Sequence, residues 1–422
     1  FANRGYDVLD KIRALDPSVS LSMSIGIGRG ARTLREAQDM AEHALDMAQG
    51  RGGDQAAEMT LDGFTFYGGV SHGVEKRSKV RSRLVADQLV KLIKEADHVV
   101  IMGHRMSDLD AIGAAEGVLR ICKICDVPAV IAVRRDATLA ASLIDALCKA
   151  GQKDDFIDPK DALPIISKRT LCIVVDTYQA GLVESKDILE KCGKVAVIDH
   201  HRKGVGYIEN PALVCHEPYS SSASELVTEL LQYVGERDDK PNRVEAEGLL
   251  AGILLDTQDF TLHTGVRTFE AAAALRRYGA ETERVRRLFD VTMVEYNAKA
   301  DLVEKAQMYK NCAISIGGEV APEARVAIAQ AANDLLRIQG VDASFVAVQV
   351  GNGVNVSARS MGAVNVQVIM ESLGGGGHQT MAAAQLKHIT PQAARSRIQD
   401  AIDQYYLSQK KTTPEARPAK GE

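Results

Sequence analysis

Several short apolar runs in this chain end in side chains that can bind a metal ion. The runs begin near His98, Leu171, Val195 and Leu249, and carboxylates or imidazoles follow each of them within a few residues. These side chains are His104, Asp108, Asp110, Asp176, Asp199, His200, His201 and Asp256. Because the carboxyl ends of strands in an open α/β sheet form one edge, the pattern predicts that all eight meet there.

Helical stretches such as Ile112–Cys122 and Glu225–Tyr233 separate these apolar runs. Such alternation predicts crossover connections and a mainly parallel sheet covered by helices. We therefore expect an α/β fold, with a smaller α/β domain behind this region and a partial α+β unit in front of it. In the smaller domain the predicted strands are Cys312–Ile316, Val326–Ala329, Phe345–Val350 and Val354–Ala358.

With 422 residues the chain is too long for one ordinary core. The expected parts are an N-terminal unit (1–67), the parallel-sheet domain (83–264), linking helices (265–310), the smaller domain (311–408) and a disordered tail (409–422). The chain begins at Phe1, inside what the pattern predicts to be a continuing element, so we expect a further N-terminal region to precede Phe1 in the full-length protein.

Charge, hydropathy and cysteine content narrow the functional classes. A formal net charge of -5 argues against a long nucleic-acid surface, although a local basic pocket for a small anion is compatible with it. No apolar run approaches the ~18 residues that span a bilayer, so direct membrane insertion is not expected. Seven cysteines and no signal peptide favour a reducing cytoplasm, and the pair Cys122 and Cys125 lies in a helical run, which favours buried thiols over zinc or redox chemistry.

The predicted cluster of carboxylates creates an electrostatic conflict. Carboxylates on one edge would repel each other and take up protons unless cations held them ionised. Two divalent ions remove the conflict, and an oxygen-rich set with imidazoles suits manganese. Ions about 3.5–4 Å apart can hold a hydroxide and stabilise in-line displacement at phosphorus. The alternatives are that Asp108 only caps the following helix and that the strand-end acids are unrelated.

A second pattern lies in Leu373–His378, where four glycines precede a histidine. Glycines let a backbone approach an anion closely, and an arginine at the end of the run Val356–Ser360 suits bidentate phosphate recognition. The alternatives are a plain linker and a surface ion pair. The substrate-binding candidates are Ser357, Arg359, Gly375, Gly376, Gly377 and His378.

The serine-rich segment Ser220–Glu225 precedes an apolar helix. Ser222 and Glu225 match a capping box, which explains both residues without chemistry. A contact from these serines to phosphate is the less favoured interpretation.

The triplet Asp199-His200-His201, with the acids around it, resembles the DHH phosphoesterase superfamily. The resemblance implies one ion bound by His104, Asp108 and Asp176, and a second bound by Asp110, Asp176, His200 and Asp256. It also implies that Asp199 orients a histidine and that His201 contacts the scissile phosphate or protonates the leaving oxygen. The arginine and Gly-His motifs resemble the DHH-associated domain, which binds the substrate.

The segments Leu21–Gly28 and Ala44–Gln55 resemble the C-terminal part of a degenerate GGDEF domain. In front of a DHH pair, this unit resembles the GdpP family of bacterial cyclic di-AMP phosphodiesterases. The resemblance implies hydrolysis of cyclic di-AMP to linear 5′-pApA with two manganese ions. It further implies a homodimer with cytoplasmic domains and a membrane-anchoring region in the full-length protein.

Two alternatives keep the same site but change its use. A nanoRNase-like hydrolase would cleave linear dinucleotides faster than cyclic di-AMP, and the GGDEF remnant argues against it. A non-catalytic sensor would hold nucleotide without turnover, and the complete ligand set argues against that.

Overall fold

The computed structural model of the protein describes residues 6–13, 22–51, 53–68, 79–201, 206–236, 239–319, 326–377 and 380–412. The chain divides into two compact units, Phe1–Phe289 and Asp290–Glu422. Within the described ranges, no helix combines the length and apolarity that crossing a membrane requires.

The first unit begins with a small α+β element. Its members are α1 (Val8–Arg13), β1 (Ile25–Gly28), α2 (Leu34–Gly50), β2 (Gln55–Thr60) and β3 (Gly63–Gly68). The strands form a sheet in the order β1-β2-β3, with β1 parallel and β3 antiparallel to β2. Helix α2 lies so close to β1 that a Cβ on Gly26 would fall 2.2 Å from the carbonyl oxygen of Ala41, so this contact requires glycine.

The rest of the first unit is built on a six-stranded parallel sheet. Its strands are β4 (His98–Met102), β5 (Ala129–Ala132), β6 (Phe156–Ile157), β7 (Thr170–Val175), β8 (Lys194–Asp199) and β9 (Leu213–His216), in the order β6-β5-β4-β7-β8-β9. The chain order reverses between β4 and β7, which is a topological switch point of the kind where ligands bind. The predicted α/β class is confirmed.

Besides α1 and α2, the described residues of this unit form nine further α-helices. They are α3 (Lys79–Glu95), α4 (Leu109–Ile124), α5 (Ala141–Leu147), α6 (Pro159–Ala162), α7 (Lys186–Lys191), α8 (Ala223–Leu231), α9 (Arg243–Thr257), α10 (Val266–Arg277) and α11 (Thr282–Arg287). The prediction that Leu249–Leu255 is a strand ending at Asp256 is wrong, because these residues form the last turns of α9. Helix α9 is buried on all sides from Glu245 to Ile253, so its sequence lacks the helical period that would have identified it.

The second unit contains a mixed six-stranded sheet. Its elements are α12 (Met293–Glu304), β10 (Gln307–Tyr309), β11 (Cys312–Glu319), α13 (Val326–Leu335), β12 (Ala343–Val350), β13 (Gly353–Ser360), α14 (Val366–Ser372), β14 (Gly376–Gly377), β15 (Met381–Lys387) and α15 (Pro391–Thr412). The strand order is β10-β11-β12-β13-β15-β14, and only β11 and β12 pair in parallel. Most of the tail predicted to be disordered lies outside the described residues, although the backbone of α15 continues to Thr412.

The prediction of a strand at Val326–Ala329 is also wrong, since these residues begin α13. The buried side chains of this helix include Ile328, Ala331 and Leu335, which recur at helical spacing. They pack with Val346 and Val348 of β12 against one face of the sheet.

The pair Cys122 and Cys125 lies at the end of α4. Cys122 is buried and Cys125 caps the helix. Burial raises the pKa of both thiols, as expected for structural rather than reactive cysteines.

A buried carboxyl group lies between α4 and α9. Glu116 is 1% exposed; its Oε1 accepts a hydrogen bond from Gln152 Nε2 at 2.8 Å, and its Oε2 has no hydrogen-bond partner among the residues that the structure describes. Gln152 also donates to Glu245, which is paired with Arg120 at 2.6 Å. Burial and the charge of Glu245 raise the pKa of Glu116 to about 8.

We expect Glu116→Gln to stabilise the protein above neutral pH. Between about pH 4.5 and 8 the folded chain holds a proton on Glu116 that the unfolded chain has lost, so stability falls as the pH rises through this window. Glutamine removes that loss, and its gain in Tm should therefore be larger at pH 9 than at pH 5. Thermal unfolding at both pH values tests this, with Glu283→Gln on the exposed face of α11 as control. A gain independent of pH would contradict the assignment.

Candidate metal centre

The predicted ligands are brought together at the carboxyl edge of the parallel sheet. His104 and Asp108 follow β4, Asp176 follows β7, and His200 follows β8, so these side chains lie beside the switch point between β4 and β7. Asp256 comes from the last turn of α9 instead of a strand. In an open parallel sheet this edge is where a ligand site is expected.

One group of possible ligands consists of His104, Asp108 and Asp176, whose ligand atoms lie within 4.8 Å of one another. His104 Nε2 is 3.4 Å from Asp176 Oδ2 and 3.8 Å from Asp108 Oδ1. His104 Nδ1 lies 3.0 Å from the carbonyl oxygen of Arg105. Because a carbonyl can only accept, Nδ1 carries a proton, and Nε2 is the ring atom that faces the carboxylates and would bind a cation.

Asp108 also caps α4. Its Oδ1 accepts hydrogen bonds from the backbone N–H groups of Asp110 at 3.0 Å and Ala111 at 3.1 Å. The capping interpretation and the ligand interpretation are therefore compatible, because a carboxylate has lone pairs for both.

A second group consists of Asp110, Asp176, His200 and Asp256. His200 Nε2 is 3.0 Å from Asp256 Oδ2, 3.4 Å from Asp176 Oδ1 and 3.9 Å from Asp110 Oδ2. The imidazole thus faces three carboxylates at once.

Asp176 belongs to both groups. It is 3% exposed, and its backbone has a φ of 59°, in the left-handed region that aspartate tolerates better than most residues. Its N–H donates to the carbonyl of Ile198 on β8 at 2.9 Å, which holds this turn against the neighbouring strand. Strained backbone of this kind is concentrated at functional sites.

Neighbouring charges outweigh burial at the imidazoles. Burial alone would lower the pKa of His104, yet hydrogen bonds to the neighbouring carboxylates raise it to about 11. Burial also opposes the charged form of His200, but Asp176 and Asp256 raise its pKa well above the usual value. At Asp110, burial and the charges of Asp176 and Asp256 raise the carboxyl pKa. Protons therefore partly balance the charge of this cluster, which is the role that a cation would take.

The donor set fits divalent cations. Asp176 Oδ1 and His200 Nε2 are buried and have no hydrogen-bond partner among the described residues. Buried polar atoms almost always have a hydrogen-bond partner or a ligand. These two unpaired atoms lie 3.4 Å apart, which indicates that a cation would bind between them. Carboxylate oxygens with imidazole nitrogens are ligands of manganese, iron and zinc alike.

Asp199 orients His201 instead of facing the cluster. The Oδ1 atom of Asp199 lies 2.8 Å from His201 Nδ1 and also accepts from the His201 backbone N–H at 3.1 Å. Asp199 is fully buried, whereas the side chain of His201 is 43% exposed. His201 Nδ1 is 3.5 Å from Asp176 Oδ1, so the ring lies at the open side of the centre.

Sequence reasoning missed two supports of this centre. His216 Nε2 donates to the carbonyl oxygen of His201 at 2.5 Å, and the backbone N–H groups of Ala223 and Ser224 donate to Asp110. No motif could have revealed the first contact. The capping-box match at Ser222 located the correct helix start but attributed it to local capping alone.

The substrate-binding candidates lie in the second unit. Ser357 and Arg359 are on one face of β13, and Arg359 Nη1 donates to Ser357 Oγ at 3.0 Å. Burial lowers the pKa of Arg359 to about 10, and its Nε has no partner among the described residues. Within this unit, a groove of about 450 Å³ is lined by Ser357, Gly375, Asn355, Gln385, Ile328 and Ala329.

The glycine run has a packing role of its own. Gly376 and Gly377 form the short strand β14 against β15, and a Cβ on Gly375 would fall 2.2 Å from the carbonyl oxygen of Ala383. Glycine is therefore required at 375 by the neighbouring strand, whether or not a ligand binds. His378 lies outside the described residues.

Comparison with known proteins gives three domain matches. Residues 98–253 match the DHH family, N-terminal domain; residues 321–407 match the DHHA1 domain; and residues 1–62 match the GGDEF domain described as cyclic-di-AMP phosphodiesterase GdpP-like. These three matches cover separate regions of the chain, and the longest of them is the match to the DHH family.

Over most of its length the chain is similar to curated cyclic-di-AMP phosphodiesterases named GdpP. It is 44% identical to the protein of Geobacillus thermodenitrificans over 95% of this chain and 62% of that protein. It is 42% identical to the Bacillus subtilis protein over 96% of this chain and 63% of that protein. The chain thus spans less than two thirds of the length of these relatives.

A solved structure shows the same fold. An exopolyphosphatase-related protein from Bacteroides fragilis superposes with a TM-score of 0.66 at 19% identity, covering 78% of this chain and 98% of that one. At this identity the likeness extends to the fold alone.

We expect Asp176→Ala to abolish divalent-ion binding at both ligand groups, because Asp176 is shared by them. Asp256→Ala should abolish binding only at the group to which Asp256 belongs. Calorimetric titration with Mn²⁺ measures both stoichiometries, and Asp187→Ala on the exposed surface of α7 serves as control. Unchanged binding in Asp176→Ala would refute the shared-ligand arrangement.

Proposed function

We propose that this chain is a metal-dependent phosphodiesterase that hydrolyses one phosphodiester bond of cyclic di-AMP and releases linear 5′-pApA. The single observation that carries the proposal is the pair of ligand groups sharing Asp176 at the carboxyl edge of the sheet. We take cyclic di-AMP as the substrate because the similar proteins are named cyclic-di-AMP phosphodiesterases. The matched GGDEF, DHH and DHHA1 domains support the same substrate.

The proposed ligands are His104, Asp108 and Asp176 for one ion, and Asp110, Asp176, His200 and Asp256 for the other. Two divalent ions bound there would neutralise the carboxylates, acidify a water molecule and stabilise charge on the phosphoryl oxygens. We favour manganese, because the donor set is rich in oxygen and contains no thiolate.

The protein's own groups would complete the chemistry. Asp199 holds the ring of His201 through Nδ1 and keeps its orientation fixed. We assign His201 to the scissile phosphate, either as a contact or as the proton donor to the leaving oxygen, since its ring lies partly exposed beside Asp176.

Substrate binding is assigned to the second unit, within residues 311–408. Arg359 is a suitable phosphate ligand because its guanidinium is largely buried, and no carboxylate among the described residues pairs with it. Such a cation gains more from an anionic ligand than an exposed one does. Ser357, Gly375, Gly376, Gly377 and His378 are the other proposed contacts.

The cellular setting is proposed from the resemblance to the GdpP family. We propose that the catalytic domain spans residues 83–264 and that the protein acts as a homodimer with its domains in the cytoplasm. The similar proteins are longer than this chain, and we propose that the full-length protein is anchored to the membrane.

The proposal is tested by Mn²⁺-dependent turnover of cyclic di-AMP and of pApA, side by side at equal concentrations. We expect rapid conversion of cyclic di-AMP to pApA and slower loss of pApA, with both reactions abolished by a chelator. Preferential conversion of pApA to AMP would instead indicate a nanoRNase-like hydrolase. Metal and nucleotide binding without product would indicate a sensor.

We expect Arg359→Lys to lower kcat/KM for cyclic di-AMP by about tenfold, equivalent to about 1.4 kcal/mol. Lysine keeps the charge but loses the planar fork that matches a phosphate. Steady-state kinetics measures the change, and Mn²⁺ affinity should stay as in the wild type because Arg359 is in neither ligand group. The matched control is Arg397→Lys on the exposed face of α15. Equal kcat/KM in the two variants would remove Arg359 from the substrate site.

A further inference from the structure

Asp110 is held by a helix to which it does not belong. The backbone N–H of Ala223 donates to Asp110 Oδ2 at 2.7 Å, and that of Ser224 donates to Oδ1 at 2.9 Å. The hydroxyl of Ser224 also donates to the Asp110 carbonyl at 3.3 Å. Asp110 is fully buried, and these partners lie 113 and 114 residues away along the chain. The carboxylate is thus fixed by tertiary contacts at both oxygens.

The donors are the first two N–H groups of α8. N–H groups in the first turn have no acceptor within their own helix, and the helix dipole favours negative charge at this end. The third N–H, that of Glu225, is taken by the hydroxyl of Ser222 at 3.0 Å. In the first turn of α8, two N–H groups therefore donate to Asp110 and the third donates to the capping residue Ser222.

The turn before α8 is itself held in place. The carboxylate of Glu225 accepts from the hydroxyl of Ser220 at 2.8 Å and from that of Ser221 at 2.5 Å. All three residues are buried. Glu225 thus closes the serine turn and keeps the donors of α8 pointing in one direction.

Gly252 of α9 provides the space that Asp110 occupies. A Cβ at position 252 would lie 2.3 Å from Ser224 Oγ, 2.6 Å from Asp110 Oδ1 and 2.8 Å from Asp110 Cα. Asp256 lies one helical turn further along α9, on the same face. Any side chain at 252 would therefore displace the contact between Asp110 and α8 beside the metal centre.

We propose that the first turn of α8 and Gly252 position Asp110 as a ligand of the second ion. Asp110 Oδ2 lies 3.9 Å from His200 Nε2 and accepts a hydrogen bond from the N–H of Ala223 on α8. The residues of α8 and Gly252 therefore act through Asp110 and are positioning residues. The inference rests on the proposed two-ion centre and assigns to the serine-rich segment a role beyond capping. It also accounts for a glycine inside a helix, where glycine otherwise costs about 1 kcal/mol.

The first test compares Gly252→Ala with Gly248→Ala in the intact chain. Both substitutions replace glycine by alanine on α9, but a Cβ at 248 meets the terminal methyl groups of Leu143 at 3.0 and 3.3 Å, which can move. With Mn²⁺ alone as the titrant, we expect Gly252→Ala to bind the second ion at least tenfold more weakly and to keep the first. Gly248→Ala should bind both ions as the wild type does.

A second pair of variants covers the case in which Gly252→Ala does not fold. Ala223→Pro removes one donor to Asp110 at the first helical position, where proline is tolerated because that N–H has no intrahelical acceptor. Ala223→Ser keeps the N–H and is the control. We expect only the proline variant to lose affinity for the second ion, and its kcat to fall with little change in KM.

The outcomes separate this inference from the proposed function. Two folded variants, Gly252→Ala and Ala223→Pro, that bind two Mn²⁺ ions with wild-type affinity would overturn the inference, as would a wild-type chain that binds only one ion. A wild-type chain that binds two ions but leaves cyclic di-AMP intact would overturn the proposed substrate alone. Selective loss of the second ion would still support the positioning role.

Discussion

The repulsion among two buried aspartates, Asp110 and Asp176, and the half-buried Asp256 is the constraint on which the first unit depends. Asp110, Asp176 and Asp256 face the same imidazole, His200, from three elements. Taking ionised carboxylates out of water costs several kcal/mol each unless charge or hydrogen bonds compensate. The surrounding structure supplies part of that compensation through imidazoles and backbone N–H groups, and bound divalent cations would complete it.

The fold brings these imidazoles and N–H groups together at the switch point between β4 and β7. Strands β4, β7 and β8 end side by side, so their loops carry ligands without long excursions of the chain. Helix α9 completes the set because Gly113 of α4 lets the two helices approach closely; a Cβ at 113 would lie 2.5 Å from the carbonyl oxygen of Gly248. The same close packing buries Glu116, whose raised pKa is a local cost of building a tight helical layer.

The candidate substrate site of the second unit is built from different chemical groups. Its candidate contacts are not buried carboxylates but a half-satisfied guanidinium, a hydroxyl and exposed backbone along a groove on one sheet. The glycine run is held by pairing with β15, which makes it a fixed edge instead of a loose linker. Backbone that is already held by strand pairing suits ligand recognition, because little order has to be created on binding.

The sequence by itself determined the parallel sheet and the gathering of His104, Asp176 and His200, because continuous apolar runs ending in polar residues have few other uses in a buried sheet. It did not determine that Asp256 lies on a helix, since a helix buried on all sides has no hydrophobic period. Only the tertiary structure decided that α8 holds Asp110 and that Asp199 holds His201. The first contact joins residues far apart in the chain, and the second depends on side-chain directions that spacing does not specify.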